Sequence, residues 1–210
     1  MRYMARKRVI LIDGTAIVFR AFFAIPSSFS TSEGLPTNAT YGFALMYRKL
    51  LQGRAPDLGA VIFDAPGKTF RDERYKDYKA QRPPMRPEMR VQFPWIHKVV
   101  EAHDFPLLSV SGYEADDVIG TLTRQSLEAG HEVFIVSGDK DFAQLVGEHV
   151  RMVDTVKDVS YDAELVRKKW GVGPELFVDY LALVGDSSDN IPGVKGIGPK
   201  SAKTLLERFG

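Results

Sequence analysis

At 210 residues, 44% apolar and 26% charged, the chain is long enough for one α/β domain, or for one domain with a small appendage. It has no cysteine, which excludes disulfides, zinc-thiolate sites and thiol nucleophiles together, so any metal must be held by oxygen or histidine. The formal net charge of +1 neither favours nor excludes a polyanionic partner, and the apolar run at 9–12 is far too short for a signal-peptide core or a membrane span, so a cytoplasmic protein without a membrane partner is expected.

In chain order, short β-branched runs alternate with longer stretches of helical period. Residues 9–12 read as a buried strand, followed by helices over 15–24, stopping before Pro26, and over 38–52, ended by Gly53. A second strand lies at 60–63. Residues 66–90 then break the pattern: they hold few aliphatic side chains, four prolines, and eight basic residues (Lys68, Arg71, Arg74, Lys76, Lys79, Arg82, Arg86, Arg90) against four acidic ones, a local balance of +4. Further on, a helix over 90–103 closing at Asp104, a strand at 107–110 and a helix over 114–129 ended by Gly130 are expected. A strand at 133–136, a helix over 140–146 and a weaker strand at 150–153 complete the alternation, which predicts an α/β fold with a largely parallel sheet and helices on both faces. Helices over 163–170, 174–184 and 199–209 follow with no strand between them, so the expected division is a core over 1–160 and a helical region over 161–210.

Open parallel sheets bind ligands beyond the carboxyl ends of their strands. Those ends are acidic here: Asp13 closes the first strand and Asp64 the second, Glu114, Asp116 and Asp117 open the helix after the third, and Asp139 and Asp141 follow the fourth. Singly, each has an ordinary reading as an acid favoured at a helix N-terminus or as a cap. Together they do not, because two carboxylates about 4 Å apart repel by about 4 kcal/mol at an effective dielectric near 20, so a cation must sit among them. Oxygen ligands select hard ions such as Mg²⁺ or Mn²⁺. Two such ions about 3.5 to 4 Å apart activate a water and stabilise the leaving oxygen of a phosphodiester, and no nucleophilic side chain is needed.

The stretch 183–202, LVGDSSDNIPGVKGIGPKSA, adds Asp186 and Asp189 to a glycine-rich turn and a helix that Pro199 can open. Gly193, Gly196 and Gly198 permit close backbone approach, amides at the helix start suit a phosphate, and Lys195, Lys200 and Lys203 add the charge for sequence-independent backbone binding.

The strings LIDGT, VIFDA, FRDERYKDYKAQRPPM, GYEADDVIG, VSGDKDFAQLV and LVGDSSDNIPGVKGIGPKSAKTLL, in that order and over nearly the whole chain, resemble the 5′-to-3′ exonuclease domain of bacterial DNA polymerase I and, more broadly, flap endonucleases. The resemblance implies a PIN-like core, a helical arch at 66–90 and a C-terminal helix-hairpin-helix at 185–203. It also implies two metal ions: Asp13, Asp64, Glu114, Asp116 and Asp117 would form one group of ligands, and Asp139, Asp141, Asp186 and Asp189 the other, some shared or acting through water. Lys79 and Arg82 would contact the scissile phosphate, with Arg71 also on the DNA and Tyr78 stacking on a base. Lys195, Gly196, Gly198 and Lys200 would grip the duplex backbone, and the carbonyls of Leu183, Val184, Pro192, Val194 and Ile197 would hold a K⁺.

By the same resemblance the substrate is DNA with a 5′ flap or 5′ end, or an RNA–DNA primer junction, cut during replication and repair by a monomeric module beside a polymerase domain in its parent chain. Family members continue for several helices past this hairpin, beyond the position where this chain stops at Gly210. Two rivals stand beside it. Asp13-Gly14-Thr15 after a strand echoes phosphatases of the haloacid dehalogenase type, but their nucleophilic aspartate would fall on Leu11. A non-catalytic DNA-binding module would leave all nine carboxylates to balance charge alone.

Overall fold

The structure is a computed structural model that describes residues 6–210. Strand β1 (Arg8–Asp13) runs directly into α1 (Gly14–Ala24), and α2 (Asn38–Arg54) precedes β2 (Leu58–Ile62). The basic segment carries α3 (Phe70–Arg74) and α4 (Pro87–Arg90), after which α5 (Phe93–Glu101) leads to the short β3 (Leu107–Leu108). Next come α6 (Ala115–Glu128), β4 (Glu132–Val136), a 3₁₀ helix at Lys140–Leu145, β5 (Val150–Asp154) and β6 (Val159–Tyr161). The C-terminal part consists of α7 (Ala163–Trp170), a 3₁₀ turn at Pro174–Leu176, α8 (Phe177–Val184), the two-residue strands β7 (Gly185–Asp186) and β8 (Ile191–Pro192), and α9 (Pro199–Phe209).

The main sheet has the order β3-β2-β1-β4-β5-β6, parallel except for β6. The chain winds outward from β1 through β2 to β3, then crosses to the other side of β1 with β4. That reversal puts the topological switch at the carboxyl ends of β1 and β4, where a ligand crevice opens in such sheets. Alternation along β1 divides the core: Val9 and Leu11 pack with α6 and the C-terminal helices, whereas Ile10 and Ile12 pack with α1, α2 and α5. Each aliphatic side chain so buried contributes about 1.5 to 3 kcal/mol relative to exposure.

Several expected elements change form. The helix expected over 90–103 divides at Val91 and Gln92, because the buried Gln92 side chain turns inward and joins α2 to the end of α4. It donates to Asn38 Oδ1 at 2.9 Å and to Glu88 O at 2.8 Å while accepting from Thr40 N at 3.0 Å. The strand expected at 107–110 ends after Leu108, ahead of a turn that needs Gly112 at a φ of 84°. The helix expected over 140–146 is a 3₁₀ helix, and the strand at 150–153 gains an antiparallel neighbour, β6, that was not expected. The strandless C-terminal region contains the β7–β8 pair. Helical structure in the basic segment is confined to α3 and α4, since Pro83, Pro84 and Pro87 and the positive φ of Lys79 interrupt anything longer. Among the described residues no helix is long and apolar enough to cross a membrane.

Candidate active site

Each carboxylate at the rim is placed by a local backbone feature. Asp13, 5% exposed, ends β1 and caps α1: Oδ1 accepts from Ala16 N at 2.9 Å and Oδ2 from the hydroxyl of buried Ser137, also at 2.9 Å. Gly14 lies close under the Phe63 ring: a Cβ there would come within 2.7 Å of it and force the ring to shift. Asp64, just past β2, accepts from Ala115 N at 2.8 Å, which ties the second strand to the start of α6. Glu114 caps α6 in a reciprocal box with Asp117, and Asp139 caps the 3₁₀ helix by accepting from Asp141 N at 3.0 Å. Asp186 organises the following loop by accepting from Ser188 N at 2.7 Å and Ser188 Oγ at 2.5 Å.

The electrostatics show which acids are crowded. Asp116 is pushed up to about 8, first by burial and then by Asp13, Asp139 and Asp64. Asp13 rises to about 6, by burial first, with Asp64 and Asp139 adding to it against the donors Ala16 and Ser137. Asp141 is raised by burial and by Asp139. Asp139 therefore acts on acids of both expected groups of ligands. Burial also pulls upward on Asp117 and Asp186, but donors prevail: Arg71 and the Glu114 amide hold Asp117 low, and Lys140 with Ser188 holds Asp186 at about 2.

Among the described residues no three carboxylates converge on one point at ligand distance, and four of the acids are paired with cations. Arg71 makes a two-pronged pair with Asp117, Lys79 Nζ lies 2.6 Å from Glu114 Oε1, Arg82 Nη2 lies 2.5 Å from Asp189 Oδ1, and Lys140 pairs with Asp186. A cleft of about 420 Å³ opens between α6 and the arch, lined in part by Asp116, Asp117, Asp141, Asp189, Arg71 and Tyr78. Tyr78 departs from its expected place on a base. It is only 8% exposed, and its hydroxyl donates to Glu114 Oε2 at 2.8 Å or Asp189 Oδ2 at 3.0 Å, so its ring braces the rim from within. Ser137, Lys140 and Thr15, whose Oγ1 accepts from Asp64 N at 2.9 Å, are site residues that sequence reasoning missed. All three sit within one or two positions of an acid already singled out.

The donor set fits a hard divalent cation. It is oxygen only, Asp13 and Asp116 repel one another at the rim, and the buried Oδ1 of Asp141 has no hydrogen-bond partner, with only Lys140 Nζ 3.5 Å away.

The glycine-rich turn lies between α8 and α9 and is joined to the rim through β7, which holds Gly185 and Asp186. Gly185, at a φ of 78°, packs backbone to backbone against Gly193: a Cβ on either would come within 2.3 Å of the other strand's main chain. Gly196 is in the left-handed region at a φ of 84°, Gly198 is the extended N-cap of α9, and Lys195 and Lys200 are exposed beside them. Of the five carbonyls expected around a K⁺, two already accept hydrogen bonds, Leu183 O from Val194 N and Val194 O from Ile197 N, both at 2.9 Å.

Residues 8–171 match the family described as 5′-3′ exonuclease, N-terminal resolvase-like domain, and residues 172–210 match 5′-3′ exonuclease, C-terminal SAM fold. The chain belongs to the 5′-3′ exonuclease family. By family it is an exonuclease, and the carboxylate rim is in keeping with that. A 5′-3′ exonuclease of Aquifex aeolicus is 46% identical over 204 residues, covering 97% of this chain and 70% of that protein. DNA polymerase I of Pseudomonas aeruginosa is 48% identical over 207 residues, covering 99% of this chain but only 23% of the polymerase. Among solved structures, the bacteriophage T5 flap endonuclease in a pseudo-enzyme–product complex with DNA and metal ions has a TM-score of 0.78 at 25% identity, covering 97% of this chain and 76% of that one. The T5 5′-exonuclease with zinc bound has a TM-score of 0.79 at 24% identity over the same shares. Family membership removes the phosphatase rival, which fails on geometry too, since Leu11 is 2% exposed and packs in the core.

Proposed function

We propose that this 5′-3′ exonuclease hydrolyses phosphodiester bonds of DNA at a 5′ flap or 5′ end with the aid of two Mg²⁺ or Mn²⁺ ions, in primer removal and repair, beside a polymerase domain in its parent chain. The observation that carries the reading is the mutual repulsion of Asp13, Asp64, Asp116 and Asp139 at the topological switch of the sheet, which a bound cation offsets without their taking up protons. In this reading Asp13, Asp64, Glu114 and Asp116 hold one ion, with Asp117 acting from behind through water. Asp139, Asp141, Asp186 and Asp189 hold the other.

When bound, such ions lower the pKa of a coordinated water and offset charge on the leaving oxygen. The chain's own residues supply the rest. Lys79 and Arg82 place positive charge where the scissile phosphate gathers negative charge, exchanging Glu114 and Asp189 for phosphate oxygens. Arg71 approaches the same strand from α3, whereas buried Tyr78 fixes Glu114 and Asp189. The sugar-phosphate backbone of the duplex lies along Lys195, Gly196, Gly198 and Lys200, where α9 presents free amides. A K⁺ at Leu183, Val184, Pro192, Val194 and Ile197 would use the second lone pairs of the two carbonyls already engaged.

The test is incubation of the purified, folded chain with a labelled 5′-flap duplex, with and without Mg²⁺. Cleavage that requires the metal is expected; intact substrate in both arms overturns the reading.

A further inference from the structure

Outside the carboxylates, the densest set of long-range polar contacts joins the arch turn at 75–82 to the loop at 187–190. Asn190 Nδ2 donates to Asp77 O at 2.7 Å, and Gln81 Nε2 donates to Ser187 O at 2.8 Å and to Ser188 O at 3.3 Å. Arg82 Nε donates to Ser188 O at 3.0 Å, Tyr75 Oη to Asn190 O at 3.2 Å, and Lys79 N to Asp189 O at 3.0 Å. The two segments are more than a hundred residues apart in sequence, and every one of these contacts ends on a main-chain group.

We infer that Asn190 and Gln81 are positioning residues that fasten the arch turn to the 187–190 loop and so hold Lys79 and Arg82 over the carboxylates. The inference rests on the proposed role of those two cations at the scissile phosphate.

Lys79 sits at a φ of 52°, a conformation that L side chains rarely adopt and that persists only where surrounding contacts over-determine it. Its own turn supplies some of them: Ala80 N donates to Asp77 O at 3.1 Å and Arg82 N to Lys79 O at 2.9 Å. Asn190 supplies another, since Asp77 O accepts from both Ala80 and Asn190. Asn190 is itself at a φ of 60°, which asparagine tolerates better than most residues, so one residue type meets a backbone need and provides the donor. Gln81 lies between the two proposed catalytic cations and grips the loop two residues before Asp189. The loop is firm enough to be gripped, because Asp186 closes it through Ser188 and β7 and β8 hold its ends. Lys79 is therefore registered against the carboxylates by contacts of Asn190, of Gln81 and of its own amide that survive when its ammonium turns to another partner, and Arg82 follows through the shared turn.

The test compares Asn190→Asp, Asn190→Gly and Gln81→Glu with the parent chain on a labelled 5′-flap duplex in Mg²⁺, together with amide hydrogen exchange over 77–82. Aspartate keeps size and tolerance of positive φ but cannot donate; glycine keeps the backbone and adds no charge. Both Asn190 variants, and Gln81→Glu, are expected to speed exchange over 77–82 and to lower kcat roughly 10- to 100-fold with KM and melting temperature nearly unchanged. Unaltered exchange in all three overturns the fastening itself. Faster exchange with undiminished kcat, in a protein that Lys79→Ala slows, overturns the positioning role alone. Full activity in Lys79→Ala overturns the assignment of Lys79 at the phosphate, and the positioning role with it.

Discussion

Arg71 and Asp117 face each other as two parallel hydrogen bonds, Nη1 to Oδ2 at 2.6 Å and Nη2 to Oδ1 at 2.9 Å, while the same Oδ2 accepts from Glu114 N at 3.0 Å. Three donors leave Asp117 little capacity for anything else. The pair joins α3, in the arch, to the first turn of α6. Lysine cannot reproduce the fork, so Arg71→Lys should lower the stability of the chelated protein by about 1 to 2 kcal/mol. A urea titration should show an earlier midpoint with an unchanged slope.

Acidity links the rim to folding. Asp116 and Asp13 titrate near 8 and 6 in the folded chain rather than at 3.8, so between those values the folded state binds more protons than the unfolded one. Stability of the metal-free protein must then fall as pH rises from about 4 to about 8. Asp117 and Asp186 act oppositely: they are held low, and their contribution is lost only as pH drops below the ordinary carboxylate range. Thermal melts in chelator should decline between pH 5 and 8.5, and excess Mg²⁺ should remove the decline. A chelated protein whose melting temperature stays level or climbs over that range would contradict the crowding of these acids.

Asp116→Asn removes a proposed ligand and a repulsive charge at once. Cleavage should fall more than about 100-fold, while binding of the flap duplex, followed by fluorescence anisotropy, stays near that of the parent chain. The same variant should melt higher than the parent in chelator at pH 8.5. Retained cleavage would move the metal centre elsewhere.

Lys79→Ala should slow cleavage by about 100- to 1,000-fold under saturating substrate with little change in KM, as expected of a group whose interaction strengthens in the transition state. Single-turnover kinetics in Mg²⁺ measures this directly.

Gly185→Ala introduces a Cβ 2.3 Å from Gly193 N at a φ of 78°, with backbone rather than a flexible side chain in the way. Duplex binding should weaken because the turn bearing Lys195 and Lys200 must shift, and a binding isotherm on blunt duplex tests this without reference to cutting.

The parallel sheet was legible because its strands are short, β-branched and buried on both faces, and the acids at their ends stood out as a charge that no single helix cap explains. Four kinds of feature were not legible. Gln92 divides a helix because its amide meets Asn38, 54 positions away, and nothing local announces that partner. Strand β6 exists through pairing with β5 across a tight turn at 155–158, and three residues are too few for a periodic signal. Tyr78 looked free to stack because its neighbours are charged, yet the turn at Lys79 rotates it inward. The fastening of residues 75–82 to 187–190 runs almost wholly through main-chain carbonyls, which every residue carries and no sequence pattern marks.

Strand β1 shares its side chains between both cores, and Asp13 is its last residue. Asp13 therefore moves only with the sheet, whereas Asp189 rides on a loop held by Ser188, by the β7–β8 pair and by the arch turn. The two ends of the acidic rim are thus fixed differently: Asp13 by the core of the fold, Asp189 by contacts between two segments more than a hundred residues apart.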